Sequence, residues 1–219
     1  MQFSGSAKER GWGLFPDGWP GEVLQFVSDV WNGLEIPKTA RLEPRITKLL
    51  SGAIIARYER EERDWFCVPE SPDWNEEGKE ISRTDIRLYP PGKKRRHVAL
   101  ILEGKRLNTP GSRAAAYVGA DGMMCFIPTT QGAVKYAAGM PCGAMLGYVM
   151  DGNVKRAHAA VCKAIKTKRA LLLLASGGDF APLKLANSHD FNGFTKHQCP
   201  DGLFLIYHLL LPVRWLAAP

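Results

Sequence analysis

No stretch of the sequence is apolar for the ~20 residues that a bilayer-crossing helix needs, and runs such as Ala170–Ala175 are far shorter. The amino-terminal residues include Lys8, Glu9 and Arg10 and lack the apolar segment of a secretory signal. Cysteine is scarce: Cys67, Cys125, Cys142, Cys162 and Cys199 are scattered and odd in number, which argues against a disulfide framework. These absences predict no membrane partner and a reducing, cytoplasmic compartment. Phosphate-binding loops are missing too, because Gly78-Lys79 lacks the upstream glycine and the following Ser or Thr. A G-x-S-x-G nucleophile elbow is also absent. His189, His197 and Cys199 share one stretch but have no second pair at zinc spacing, so they read as a polar loop. His208, inside an apolar run, reads as a hydrogen-bonded core histidine.

What is present suits one domain. The 219 residues are 45% hydrophobic and 23% charged, enough for a core that buries roughly 70% of the unfolded surface. The net charge of +7 favours an acidic partner, and nucleic acid is the commonest. Lys93, Lys94, Arg95 and Arg96 are consecutive in a turn and are candidate phosphate contacts; Lys163, Lys166, Lys168 and Arg169 close a later helix.

Residues 1–40, rich in Trp, Gly and Pro, read as an arm packed on the core, with a helix over Gly21–Leu34. From Pro44 to Arg63, Ile46, Leu49, Leu50, Ala53 and Ile54 recur at helical spacing, and Pro44 suits a first helical turn. Strands are predicted over Trp65–Pro69, Thr84–Tyr89 and His97–Arg106, with an acidic loop over Asp73–Glu80. A helix near Thr130–Ala138, a strand over Gly143–Met150, a helix over Val154–Arg169 and an apolar strand over Leu203–Val213 follow. Strands interleaved with helices predict an α/β fold with a mixed central sheet flanked by helices.

Two predicted strands carry unexpected charge. Side chains alternate along a strand, so Glu103 and Lys105 project from one face of an otherwise apolar "VALILEGK". A carboxylate and an amine there must be paired, desolvated or occupied by a ligand. Asp85 opens the neighbouring strand, and a hairpin brings it beside Glu103. Two adjacent carboxylates repel at neutral pH, and a divalent cation removes the conflict. Mg²⁺ (or Mn²⁺) takes one or two carboxylates together with waters and substrate phosphates. The plainer alternative is an edge-strand ion pair of Glu103 and Lys105, with Asp85 capping a turn.

Asp85 followed by Glu103-Gly104-Lys105 resembles the bipartite D…(D/E)xK signature of the PD-(D/E)XK, restriction-endonuclease-like nucleases. The resemblance covers roughly residues 42–150 and implies a core ordered αβββαβ, with residues 151–219 as a helix-and-strand extension of one domain spanning 41–219. It implies metal-dependent cleavage of DNA, or less often RNA, in defence against foreign DNA or in repair, with Asp85 and Glu103 as metal ligands and Lys105 as the catalytic lysine. Members that place a glutamate on the first core helix point to Glu43 as a further ligand; Glu59, Glu61 and Glu62 lie at the helix's far end. Exonuclease members carry Gln and Tyr four residues apart on the helix after the lysine. Here Gln131 and Tyr136 are five apart, which leaves Gln131 as the candidate. Many such enzymes act as homodimers or with a partner subunit. A different class of function is also compatible: a non-catalytic nucleic-acid-binding or assembly subunit that keeps the fold.

Overall fold

The computed structural model describes residues 15–74, 80–92, 98–108, 113–129, 134–137 and 139–216. Helices α1 (Trp19–Asn32) and α2 (Glu43–Arg60) precede strands β1 (Phe66–Trp74), β2 (Glu80–Tyr89) and β3 (Leu100–Leu107). A five-residue helix, α3 (Arg113–Tyr117), and a 3-10 turn (Met123–Phe126) lead to β4 (Cys142–Val149). Then come α4 (Val154–Thr167), β5 (Ala181–Pro182), β6 (Gly193–Cys199) and β7 (Gly202–Pro212). The seven strands form one mixed sheet in the order β1-β2-β3-β4-β7-β6-β5.

Helices α2 and α4 form where the apolar spacing predicts them. In α2, Pro44 occupies the first turn and Ile46, Leu50 and Ile54 are buried at four-residue intervals. In α4, the Asn153 side chain accepts from Arg156 N at 3.0 Å, and Val154, Ala157, Val161 and Ile165 turn inward. Strands β1, β2 and β3 form an antiparallel meander, whereas β3, β4 and β7 run parallel. At the centre of the sheet β4 is buried at every residue, which is why "CGAMLGYV" shows no polar alternation.

Neighbouring residues of β4 identify the two faces. The Trp31 ring of α1 stacks on Tyr148 at 5.5 Å, and Thr47 of α2 hydrogen-bonds the Tyr148 hydroxyl at 2.9 Å. On the other face a Cβ on Gly147 would lie 3.3 Å from the Tyr117 ring of α3. Helices α1 and α2 thus cover one face and α3 the other.

Three expectations are revised. The predicted helix near 130–138 is absent from residues 134–137, which follow an irregular path; residues 130–133 and 138 lie outside the described residues. The stretch read as a polar loop contains strand β6, where Thr195 and His197 are buried and bond one another. The supposed loop over Asp73–Glu80 pairs at both margins, Asp73 with Ser82 and Trp74 with Glu80. Residues 151–216 supply three of the seven strands, and β7 lies directly beside β4. All five cysteines are free. No helix among the described residues is long and apolar enough to cross a membrane.

Candidate functional site

The site lies where the sheet opens. Strands β2 and β3 pair only through Ile86–Leu102, Arg87–Ile101 and Leu88–Leu100, while β3 continues along β4 to Leu107. Beyond Leu102, β3 has lost its neighbour on the β2 side. Alternate N–H groups of a strand point the same way, so Gly104 and Arg106 face this gap and need acceptors. Two carboxylates supply them: Gly104 N donates to Asp85 Oδ2 at 2.7 Å, and Arg106 N donates to Glu43 Oε2 at 3.1 Å. Asp85 comes from β2 and Glu43 from the first turn of α2, so the break in the ladder draws both into place.

Lys105 joins the group. Its Nζ donates to Glu103 Oε1 at 2.7 Å, Gly104 O at 2.8 Å and Glu43 Oε1 at 3.1 Å. Glu103 Oε2 is buried and has no hydrogen-bond partner. One ammonium therefore lies among Glu43, Asp85 and Glu103, leaving a net negative charge when all are ionised.

Burial and Asp85's charge push Glu103 from 4.5 up to about 7, against the pull of Lys105. Burial also raises Asp85, opposed by the Gly104 N–H and by Lys105. For Lys105 burial works downward, but Glu103 and Glu43 outweigh it and hold the amine protonated. A buried carboxyl with a bare oxygen and a pKa near neutrality can take up either a proton or a cation.

The packing around Gly104 explains the residue between Glu103 and Lys105. A Cβ there would lie 2.8 Å from the Tyr148 ring and 3.1 Å from Thr47 Oγ1. Only a glycine lets α2 sit close enough to β3 for Glu43 to reach Lys105 and Arg106. Sequence reasoning missed this Gly104–Thr47–Tyr148 contact, because its partners come from three separate elements.

Asp85, Glu103, Lys105 and Glu43 are thus brought together as the sequence predicts. Glu61 instead pairs with Arg57 and Arg63 at the far end of α2. Lys93, Lys94, Arg95, Arg96 and Gln131 lie outside the described residues. Tyr136 is buried, and its hydroxyl donates to Arg83 O at 2.5 Å, tying the 134–137 segment to β2 two residues before Asp85. The ion pair of the plainer alternative is present, Lys105 Nζ lying 2.7 Å from Glu103 Oε1 on the part of β3 that has lost its β2 neighbour, but Asp85 accepts from Gly104 N across the gap and does not cap a turn.

The histidines form a separate network. His197 Nδ1 lies 2.6 Å from Leu172 O, which can only accept, so Nδ1 carries the proton. With neutral rings every further direction follows: Thr195 Oγ1 donates to His197 Nε2 at 2.7 Å, His208 Nε2 donates to Thr195 at 3.0 Å, and Tyr117 donates to His208 Nδ1 at 3.0 Å. Burial pushes His208 down to about 3, in keeping with a neutral ring. His189 contacts Leu210 O at 2.6 Å. Among the described residues no three His, Cys, Asp or Glu side chains form a ready-made metal cage, here or at Glu103.

The residues at the gap still fit a hard cation. Glu43 has both oxygens engaged, whereas Glu103 keeps one bare, buried oxygen beside Asp85. Two neighbouring carboxylates, one with an unpartnered oxygen, are donors of the kind that Mg²⁺ takes together with waters and phosphate oxygens. No family model, curated protein or solved structure matches this chain.

Proposed function

We propose that the chain is a metal-dependent nuclease of the PD-(D/E)XK type that hydrolyses phosphodiester bonds, with DNA as substrate. The observation that carries the reading is the bare, buried Oε2 of Glu103 beside Asp85, with Lys105 2.7 Å from the other oxygen. The sequence α2, antiparallel β1-β2-β3, α3 and a β4 parallel to β3 supports a restriction-endonuclease-like core. Asp85 and Glu103 would hold Mg²⁺ or Mn²⁺, which when bound polarises the phosphodiester and acidifies a water. Lys105, kept protonated, orients the attacking water and faces the charge that develops on the phosphate. Glu43 positions Lys105 through its Oε1 and fixes itself to Arg106 N through Oε2.

Purified protein with Mg²⁺ or Mn²⁺ should cut plasmid or oligonucleotide DNA, and Lys105→Ala should slow cutting by roughly 10²-fold or more while binding persists. A wild-type chain inert on DNA and RNA with both metals would overturn the reading. A second reading has its own support. Lys105 already satisfies three acceptors, so the cluster closes on itself as it would in a nucleic-acid-binding subunit that keeps this fold without cutting. That reading predicts oligonucleotide binding that is indifferent to both metals.

A further inference from the structure

Beside the carboxylates lies a second charged group of the opposite sign. Arg41 Nε donates to Lys38 O at 3.2 Å, Arg45 Nη1 to Thr39 O at 3.3 Å and Arg106 Nη1 to Arg41 O at 2.8 Å. Three guanidinium groups are therefore fastened to the carbonyls of one segment, residues 38–41, that leads into α2. Each spends one nitrogen on that anchor and keeps further N–H donors free. Among the described residues no carboxylate pairs with any of the three. Elsewhere Arg57, Arg63, Arg156 and Arg169 are each paired with an acid, while Arg214, at the end of α1, bonds the carbonyls of Trp31 and Asn32. Arg41 and Arg45 are exposed, and Arg106 is half-buried.

We propose that Arg41, Arg45 and Arg106 form a phosphate-binding clamp for the backbone of a nucleic-acid strand. Anchoring holds each guanidinium with N–H donors to spare, and such forks suit phosphate oxygens bidentately. A turn in which Ala40 N donates to Pro37 O at 2.8 Å keeps the three anchoring carbonyls close together. Its position ties it to the gap: Glu43 is two residues after Arg41, and the amide of Arg106 holds the Glu43 carboxylate. A strand gripped here lies next to Lys105 and Glu103. The clamp rests on the nuclease reading for the identity of the strand, and on the anchored, unpaired guanidinium groups for its existence.

The test is binding without catalysis. Affinity of the full chain for single- and double-stranded oligonucleotides is measured in EDTA across 50–300 mM NaCl, for wild type and for the Arg41→Gln/Arg45→Gln/Arg106→Gln variant. Loss of three phosphate contacts should flatten the logarithmic salt slope by about 2–3 and weaken duplex binding on the order of 10²-fold at 100 mM salt. A triple Lys variant should keep the slope but bind more weakly, and Arg60→Gln, at the other end of α2, should bind as wild type. Thermal denaturation checks that each variant is folded. An unchanged slope and affinity in the triple Gln variant would overturn the clamp. So would a wild-type chain that binds no oligonucleotide, or one that uses these arginines only for phosphatidylserine vesicles. A chain that binds through them yet never cuts keeps the clamp and loses the nuclease.

Discussion

Replacing Glu103 with Gln separates a functional carboxylate from a structural one. The Glu103 side chain is only 7% exposed, and its folded pKa is raised from 4.5 to about 7. Between those values the folded chain holds more protons than the unfolded chain, so stability falls as pH rises through that window. Above about pH 7 the full cost is present, about 3 kcal/mol, and below about 4.5 it vanishes. Gln keeps the shape and an acceptor for Lys105 while removing the charge. Metal-free Glu103→Gln at pH 8 should therefore be more stable than wild type by up to about 3 kcal/mol, or about 6–12 °C in Tm for a chain of this size. The advantage should disappear near pH 4.5. Added Mg²⁺ should raise the wild-type Tm at pH 8 and leave the variant unmoved. Thermal denaturation followed by circular dichroism from pH 4.5 to 8.5, with EDTA or Mg²⁺, gives both readouts. A variant less stable than wild type at pH 8 in EDTA would refute the reasoning, because Glu103 would then be a stabilising partner of Lys105 and not a strained ligand.

Cleavage by the wild type should fall on the acid side of about pH 7, because a proton on Glu103 competes with the metal; a pH–rate profile with no acid limb near neutrality would contradict this. Gly104→Ala should destabilise by about 1–3 kcal/mol in urea denaturation, since its Cβ meets the Tyr148 ring at 2.8 Å, and should also weaken metal binding as α2 shifts. Thr195→Val should cost about 2 kcal/mol or more, because one hydroxyl serves both His197 and His208, yet leave cleavage unchanged in the protein that remains folded.

The sequence made the site's ingredients legible because its charges interrupt an apolar pattern. Glu103 and Lys105 stand out in "VALILEGK", and Pro44 marks the helix turn that carries Glu43. Their assembly was less visible. Asp85 and Glu43 are drawn in by two N–H groups exposed where the β2–β3 ladder ends, and a ladder's length is a property of two strands together. Strand β6 escaped notice because Thr195 and His197 look solvated in a sequence and become apolar-compatible only when bonded to each other. The irregular 134–137 segment is held by the Tyr136–Arg83 bond, a contact between residues 53 positions apart that overrides local helical spacing.

The two amides that face the gap have a use beyond holding side chains. Gly104 N–H reports on Asp85 alone and Arg106 N–H on Glu43 alone, each through a single hydrogen bond. In an ¹⁵N-labelled chain their resonances form a two-channel indicator. A cation that draws Asp85 away moves Gly104 and leaves Arg106 still, whereas a shift of α2 moves Arg106 first. The molecule thus contains its own spectroscopic distinction between filling the site and rearranging it, readable before any bond in a substrate is broken.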